Sequence, residues 1–140
     1  PLCFLQQARP RGHRSQPLNM PIPSRVLGSG ISQLSTVSIC GDGKDDIVAA
    51  GSTRSDATQL TYVFNSVDTV ASGTGVKLPP TEAGEVIYVV NSGARTLKVY
   101  PYESTTTINQ TTSATIDKDH TSIFFAVTKS IWYSINGTKT

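Results

Sequence analysis

GTGVKLPPTEAGEVIYVVNSGARTLKVYPYESTTTIN, residues 73–109, carries β-strand patterning almost throughout. From Gly84 the run GEVIYVV is built of β-branched and aromatic residues, which suit a pleated, half-buried surface. NSGA at 91–94 supplies turn chemistry, and TLKVY at 96–100 alternates apolar with polar. The pattern predicts two strands joined as a hairpin. Successive strand side chains point to opposite faces, so Leu97 and Val99 are expected to face a core while Thr96, Lys98 and Tyr100 face away.

Outward from this stretch the same signals recur. VKL stops at Pro79-Pro80, and TQLTYVFNSVDTVA at 58–71 predicts one long strand or two short ones with Leu60, Tyr62 and Phe64 on one face. GDGKDD at 41–46 reads as a polar loop leading into IVAA at 47–50, and one further strand is expected around Thr36–Ile39. Thr105–Asn109, Ser113–Ile116, Ser122–Val127 and Ile131–Ile135 follow, separated by turns at Asp117-Lys118-Asp119 and Thr128-Lys129-Ser130, with Asn136-Gly137 as a tight turn after the last strand. Phe125 joins Val99 on the expected inward face. Eight or nine strands spaced this way predict an all-β domain in which a second sheet covers the first. The expected form is a two-sheet antiparallel β-sandwich of the jelly-roll type. An immunoglobulin-like sandwich is the alternative, weakened because the cysteines do not bracket Trp132.

Length and composition agree with one domain and an appendage. A chain of 140 residues buries enough surface for a core without staples. Serine and threonine fill 34 positions against 16% charged residues, a balance suited to sheets with hydroxyl-rich outer faces. Five of eight prolines, at positions 1, 10, 17, 21 and 23, lie in the first 23 residues, where they remove backbone donors and favour extended conformations. Residues 1–34 are therefore read as an extended, proline-rich, basic N-terminal arm and residues 35–140 as the β-domain. The arm's arginines, Arg9, Arg11, Arg14 and Arg25, face no acid within the first 25 residues, whereas the remainder holds eight bases and ten acids.

Several functions are set aside at this stage. A net charge of +2, with arginines not interleaved with aromatics, argues against a nucleic-acid partner. No run of 18 apolar residues exists, which argues against a membrane span, and PLCFL at the start is too short for a signal peptide. Cys3 and Cys40 match no zinc or redox spacing and are read as free thiols. Asp42, Asp45 and Asp46 depart from the EF-hand pattern, and His13 and His120 stand alone, so no metal is expected. There is no Gly-x-Ser-x-Gly elbow, phosphate loop or dinucleotide fingerprint, and the expectation is a protein without catalytic activity or cofactor.

The spacing Gly84, Val89, Asn91, Gly93, Leu97, Val99, Tyr100, Pro101, followed by Ile108-Asn109 and by FFAVTKSIWYSI at 124–135, resembles small all-β proteins encoded among the head genes of tailed bacteriophages. The resemblance spans roughly residues 58–135. It implies a capsid decoration or cement protein, made in a bacterial cytoplasm and placed on the capsid outer surface. Its partners would be the major capsid protein and further copies of itself, as a dimer or trimer. The candidate interface residues are Leu2, Phe4, Leu5, Arg9, Arg11, Arg14, Leu18 and Ile22 in the arm, with Tyr100, Tyr102 and Trp132 in the body. The alternative is a receptor- or carbohydrate-binding β-module of a phage fibre, with Tyr88, Tyr100, Tyr102, Trp132 and Tyr133 as a sugar platform.

Overall fold

The computed structural model describes residues 26–137, and the chain divides into two compact units after Cys40. The arm residues up to Arg25, including the candidate anchors Leu2, Phe4, Leu5, Arg9, Arg11, Arg14, Leu18 and Ile22, lie outside the described residues.

In the first unit, the strand expected around Thr36–Ile39 is instead a helix, α1, Gln33–Cys40. Local hydrogen bonds override the β-branched residues. The Ser32 hydroxyl accepts the Ser35 N–H at 3.2 Å, an N-cap that satisfies one of the free donors of the first turn. Thr36 and Ser38 turn their hydroxyls back onto the carbonyls of Ser32 and Leu34 at 3.0 and 2.9 Å, which occupies side-chain groups that compete with the helix elsewhere.

Among its described residues the second unit holds ten strands: β1 Gly43–Val48, β2 Thr58–Gln59, β3 Phe64–Thr69, β4 Gly75–Lys77, β5 Val86–Asn91, β6 Leu97–Tyr100, β7 Thr107–Ile108, β8 Ala114–Ile116, β9 Thr121–Thr128 and β10 Ile131–Gly137. They form a six-stranded sheet in the order β1-β3-β5-β9-β10-β7 and a four-stranded sheet in the order β2-β4-β6-β8. From β1 to β6 the chain alternates between the two, placing β1, β3 and β5 parallel in the large sheet and β2, β4 and β6 parallel in the small one. This part is a two-sided coil like a β-solenoid. The chain then reverses: β8 runs antiparallel to β6, β9 to β5 and β10 to β9.

This topology corrects the expected antiparallel jelly-roll sandwich, and its immunoglobulin-like alternative with it. Two sheets do face one another across a single core, but both are mixed and strands adjacent in sequence fall mostly in opposite sheets. The predicted hairpin is corrected for the same reason. β5 and β6 belong to different sheets, and NSGAR between them is a corner. Both edges of β5 are already paired, with β3 on one side and β9 on the other, so no edge remains for a hairpin partner. GDGKDD is likewise no simple loop, since β1 begins at Gly43 and pairs with β3 through a bulge at Asp45-Asp46, where Asp46 adopts a positive φ of 54°. Asn136-Gly137 closes β10 and pairs with Ser122 and Thr121.

The Asn91 side chain makes the corner. It is fully buried, donating from Nδ2 to the carbonyls of Arg95 at 2.8 Å and Ile116 at 2.9 Å, while Oδ1 accepts the Gly93 N–H at 3.0 Å. Three backbone groups are thus bonded by one amide, which ties β5 to β8 across the sheets. Gly93 is required beneath it, because a Cβ there would come within 2.6 Å of the Val70 side chain. The Asn-x-Gly spacing is therefore the signature of a corner between sheets.

The core lies between the sheets. Val67, Ile87, Val89, Phe124, Ala126 and Trp132 come from the large sheet and meet Val76, Leu97, Val99 and Ile116 from the small one. Leu97 and Val99 face inward as expected. Of the trio expected on one face, Leu60 is buried while Phe64 is about half exposed, because the chain crosses between β2 and β3 at Leu60–Val63 and changes face. Phe124, not Phe125, occupies the core.

Candidate functional site: the outer face of the large sheet

An amphipathic strand normally gives one face to the core and a polar face to water. The central strands of the large sheet depart from that rule. On β5, Ile87 and Val89 point inward and Val86, Tyr88 and Val90 outward; on β9, Ser122, Phe124 and Ala126 point inward and Ile123 and Phe125 outward. Residues paired across strands share a face, so the outward residues form rows. Phe64, Tyr88, Ile123 and Ile135 run across β3, β5, β9 and β10. Beside them run Val86, Phe125 and Tyr133.

The rows are reinforced by ring contacts. Phe64 and Tyr88 stack with centroids 4.8 Å apart and planes 24° apart, and Phe125 and Tyr133 lie 6.1 Å and 29° apart. Such cross-strand pairs each add roughly 0.2–1 kcal/mol to sheet stability. Their remaining apolar surface stays in water. Ile135 is 59% exposed, Phe64 47% and Val86 36%. Neither row contains a charged side chain. The carboxylates come at the margin: Asp68 on β3 accepts the Asp46 N–H at 2.8 Å and the Ser66 hydroxyl at 2.9 Å, and these bonds hold its pKa below the ordinary value. Between Phe64, Tyr88 and Val90 and the start of β1, where Lys44 and Asp45 line it, the face is indented by a depression of about 450 Å³.

The candidate residues of the body fall elsewhere. Trp132 is fully buried and donates its indole N–H to the Thr81 hydroxyl at 2.8 Å, so it anchors the core and presents no surface. Tyr100 is half-buried on β6, and its hydroxyl donates to the Ser52 carbonyl at 2.7 Å, tying the small sheet to the β1–β2 loop. Tyr102 is 37% exposed, with the Lys77 ammonium 5.4 Å above its ring. The five aromatics of the proposed sugar platform are therefore dispersed: Tyr88 and Tyr133 on the outer large sheet, Trp132 inside, Tyr100 and Tyr102 beside the small sheet. Of the residues that do form a surface, Val86 and Tyr88 carried a signal in EVIYVV and Ile123 and Phe125 in SIFFAV, where both alternating positions are apolar.

Among the described residues, no three His, Cys, Asp or Glu side chains cluster as metal ligands. Cys40 is a free, half-buried thiol at the end of α1, and the His120 ring nitrogen Nδ1 bonds locally to the Lys118 carbonyl at 2.8 Å. No described helix is long and apolar enough to cross a membrane. Comparison of the chain with family models, with curated proteins and with solved structures found no match in any of the three.

Proposed function

We propose that this protein is a structural, non-catalytic virion component that binds the outside of an assembled bacteriophage capsid and cements neighbouring major capsid subunits. The observation that carries the reading is the outer face of the large sheet. It is an apolar surface, indented beside β1, on a body with a complete core of its own, and such patches mark contacts with other proteins. Adhesion by burial, repeated at many equivalent sites, requires no turnover. The spacing from Gly84 to Pro101 and the strands at 124–135 supply the link to phage head proteins.

The experiment is a heat challenge of particles made without the protein. Particles with normal geometry that burst at lower temperature, and are rescued by added protein, are the expected result. Particles that withstand heat like wild type but lose adsorption to cells would replace this reading with the fibre or receptor-binding module.

A further inference from the structure

We infer that Asn136 is a site of spontaneous covalent modification, at which the backbone nitrogen of Gly137 displaces ammonia from the side chain and leaves an aspartyl or isoaspartyl residue. The site goes beyond adhesion and does not rest on it.

The local chemistry comes first. Asparagine is thermolabile because the next residue's backbone nitrogen can attack its Cγ, and a following glycine, with no side chain, leaves that approach open. In the first step the bond from the Gly137 nitrogen to the Asn136 Cγ forms and the Cγ–Nδ2 bond breaks. The proton lost by the Gly137 nitrogen leaves with Nδ2 as ammonia, and a succinimide ring remains. Water then opens the ring. Addition at Cγ gives aspartate, and addition at the main-chain carbonyl carbon gives isoaspartate.

The structure selects this residue among the four described asparagines. Asn65 and Asn91 are buried, each is followed by serine, and each Nδ2 donates to two carbonyls. The leaving group is held in both. Asn109 is exposed, but its Oδ1 and Nδ2 are both bonded to Ser134, and Gln110 follows it. Asn136 is exposed, precedes an exposed glycine, and is bonded through Oδ1 alone, which accepts the Ser122 hydroxyl at 2.6 Å. Among the described residues nothing holds its Nδ2. The Ser122 bond also assists attack: negative charge gathers on Oδ1 as the ring closes, and the fully buried Ser122 keeps a donor there in advance.

An extended strand keeps the Gly137 nitrogen away from Cγ, so the end of β10 must open. Gly137 is the last residue of β10, paired with Thr121, and rotation about the Asn136 Cα–C bond moves it while the Asn136 side chain stays on Ser122. Fraying ends open at little cost. The isoaspartyl product adds one methylene to the backbone and so breaks the Asn136–Ser122 and Gly137–Thr121 register, and either product places a new negative charge next to Ile135 in the chain. The end of β10 therefore loosens as the protein ages.

The test is peptide mapping by mass spectrometry of the full chain after prolonged warm incubation in neutral and mildly alkaline buffer. The amide-to-acid mass gain is expected at Asn136 ahead of Asn65, Asn91 and Asn109, and sooner in the alkaline buffer. Gly137→Ala adds a Cβ that meets only the Thr121 carbonyl oxygen at 3.4 Å, an ordinary contact, so circular dichroism should be unchanged. Its mass gain should slow on the order of tenfold. Ser122→Ala keeps the Asn-Gly sequence, removes the donor and should slow the gain several-fold; if it fails to fold, Gly137→Ala carries the result. No gain at Asn136, an earlier gain at another described asparagine, or a rate that Gly137→Ala leaves unchanged overturns the inference. An unchanged rate in a folded Ser122→Ala overturns the part given to the buried hydroxyl. Heat protection of particles by fresh protein is a separate measurement, so the cement reading can fail while this site stands, and the reverse.

Discussion

The two faces of the six-stranded sheet are made of nearly the same residues and have opposite fates. Inside, Val67, Ile87, Val89, Phe124 and Trp132 are sealed against the small sheet. Outside, Tyr88, Ile123, Phe125, Tyr133 and Ile135 cover a comparable width, with no layer of this unit's strands over them. In a fold with one buried face, alternation encodes which side is in. Here both parities are apolar, and the difference lies only in where the second sheet sits. An apolar residue on such a sheet therefore stabilises either the monomer or a contact, and mutation separates the two.

The widest separation is expected between neighbouring phenylalanines. Phe124→Ala removes a ring from the sealed core and is expected to cost about 3–5 kcal/mol. Phe125→Ala, one residue along, removes a half-buried ring stacked on Tyr133 and is expected to cost about 1 kcal/mol or less. Denaturant unfolding measures both. Equal losses would erase the distinction between the faces.

Next in size is the corner that brings the second sheet over the first. Asn91→Ala leaves the Arg95 and Ile116 carbonyls and the Gly93 N–H without their shared partner, each worth about 1–3 kcal/mol when buried and unpaired, and partial water entry reduces the sum to about 2–4 kcal/mol. Asn91→Asp should be no better, because a carboxylate offers no donor to the two carbonyls. A thermal shift within error for both would mean that the corner holds without the amide.

The smallest expected effect lies just ahead of β5, at Glu85. Burial raises the Glu85 pKa above its ordinary value, the Glu82 carboxylate adds to the rise, and the Glu82 N–H offsets part of it. The charged form is thus disfavoured in the folded state, so this group weakens folding as pH rises through its folded pKa and has no such cost when protonated in both states. Glu85→Gln should raise the melting temperature slightly at neutral pH and lose that advantage in acid. An advantage that grows in acid would contradict the sign.

Strand positions and much of the inner packing were legible in the sequence, and the sheet assignment was not. VIYVV, LKVY and SIFFAV form strands near the expected bounds, Leu97 and Val99 face inward, and Thr128-Lys129-Ser130 does join β9 to β10 as a hairpin. NSGAR has comparable turn chemistry but makes a corner between sheets. What distinguishes them is remote: β5 is flanked by β3 and β9, whereas β9 still has an edge free for β10. Local propensity carries no information about which edges distant segments will occupy. The exchange of Phe125 for Phe124 has a similar cause, because two adjacent aromatics give a period of two nothing to discriminate. Trp132 drew attention as a large aromatic, and its burial follows from its place opposite Ala126, the small residue that leaves room for the indole.

Hydroxyl-radical footprinting of the full chain, free and then bound to particles, addresses the outer face most directly. Tyr88, Phe125 and Tyr133 are expected to be oxidised in the free protein and protected together on particles, while Tyr102 beside the small sheet serves as a reference. Unchanged oxidation of all three outer-face rings in every state would contradict the assignment of this face as the protein's adhesive surface.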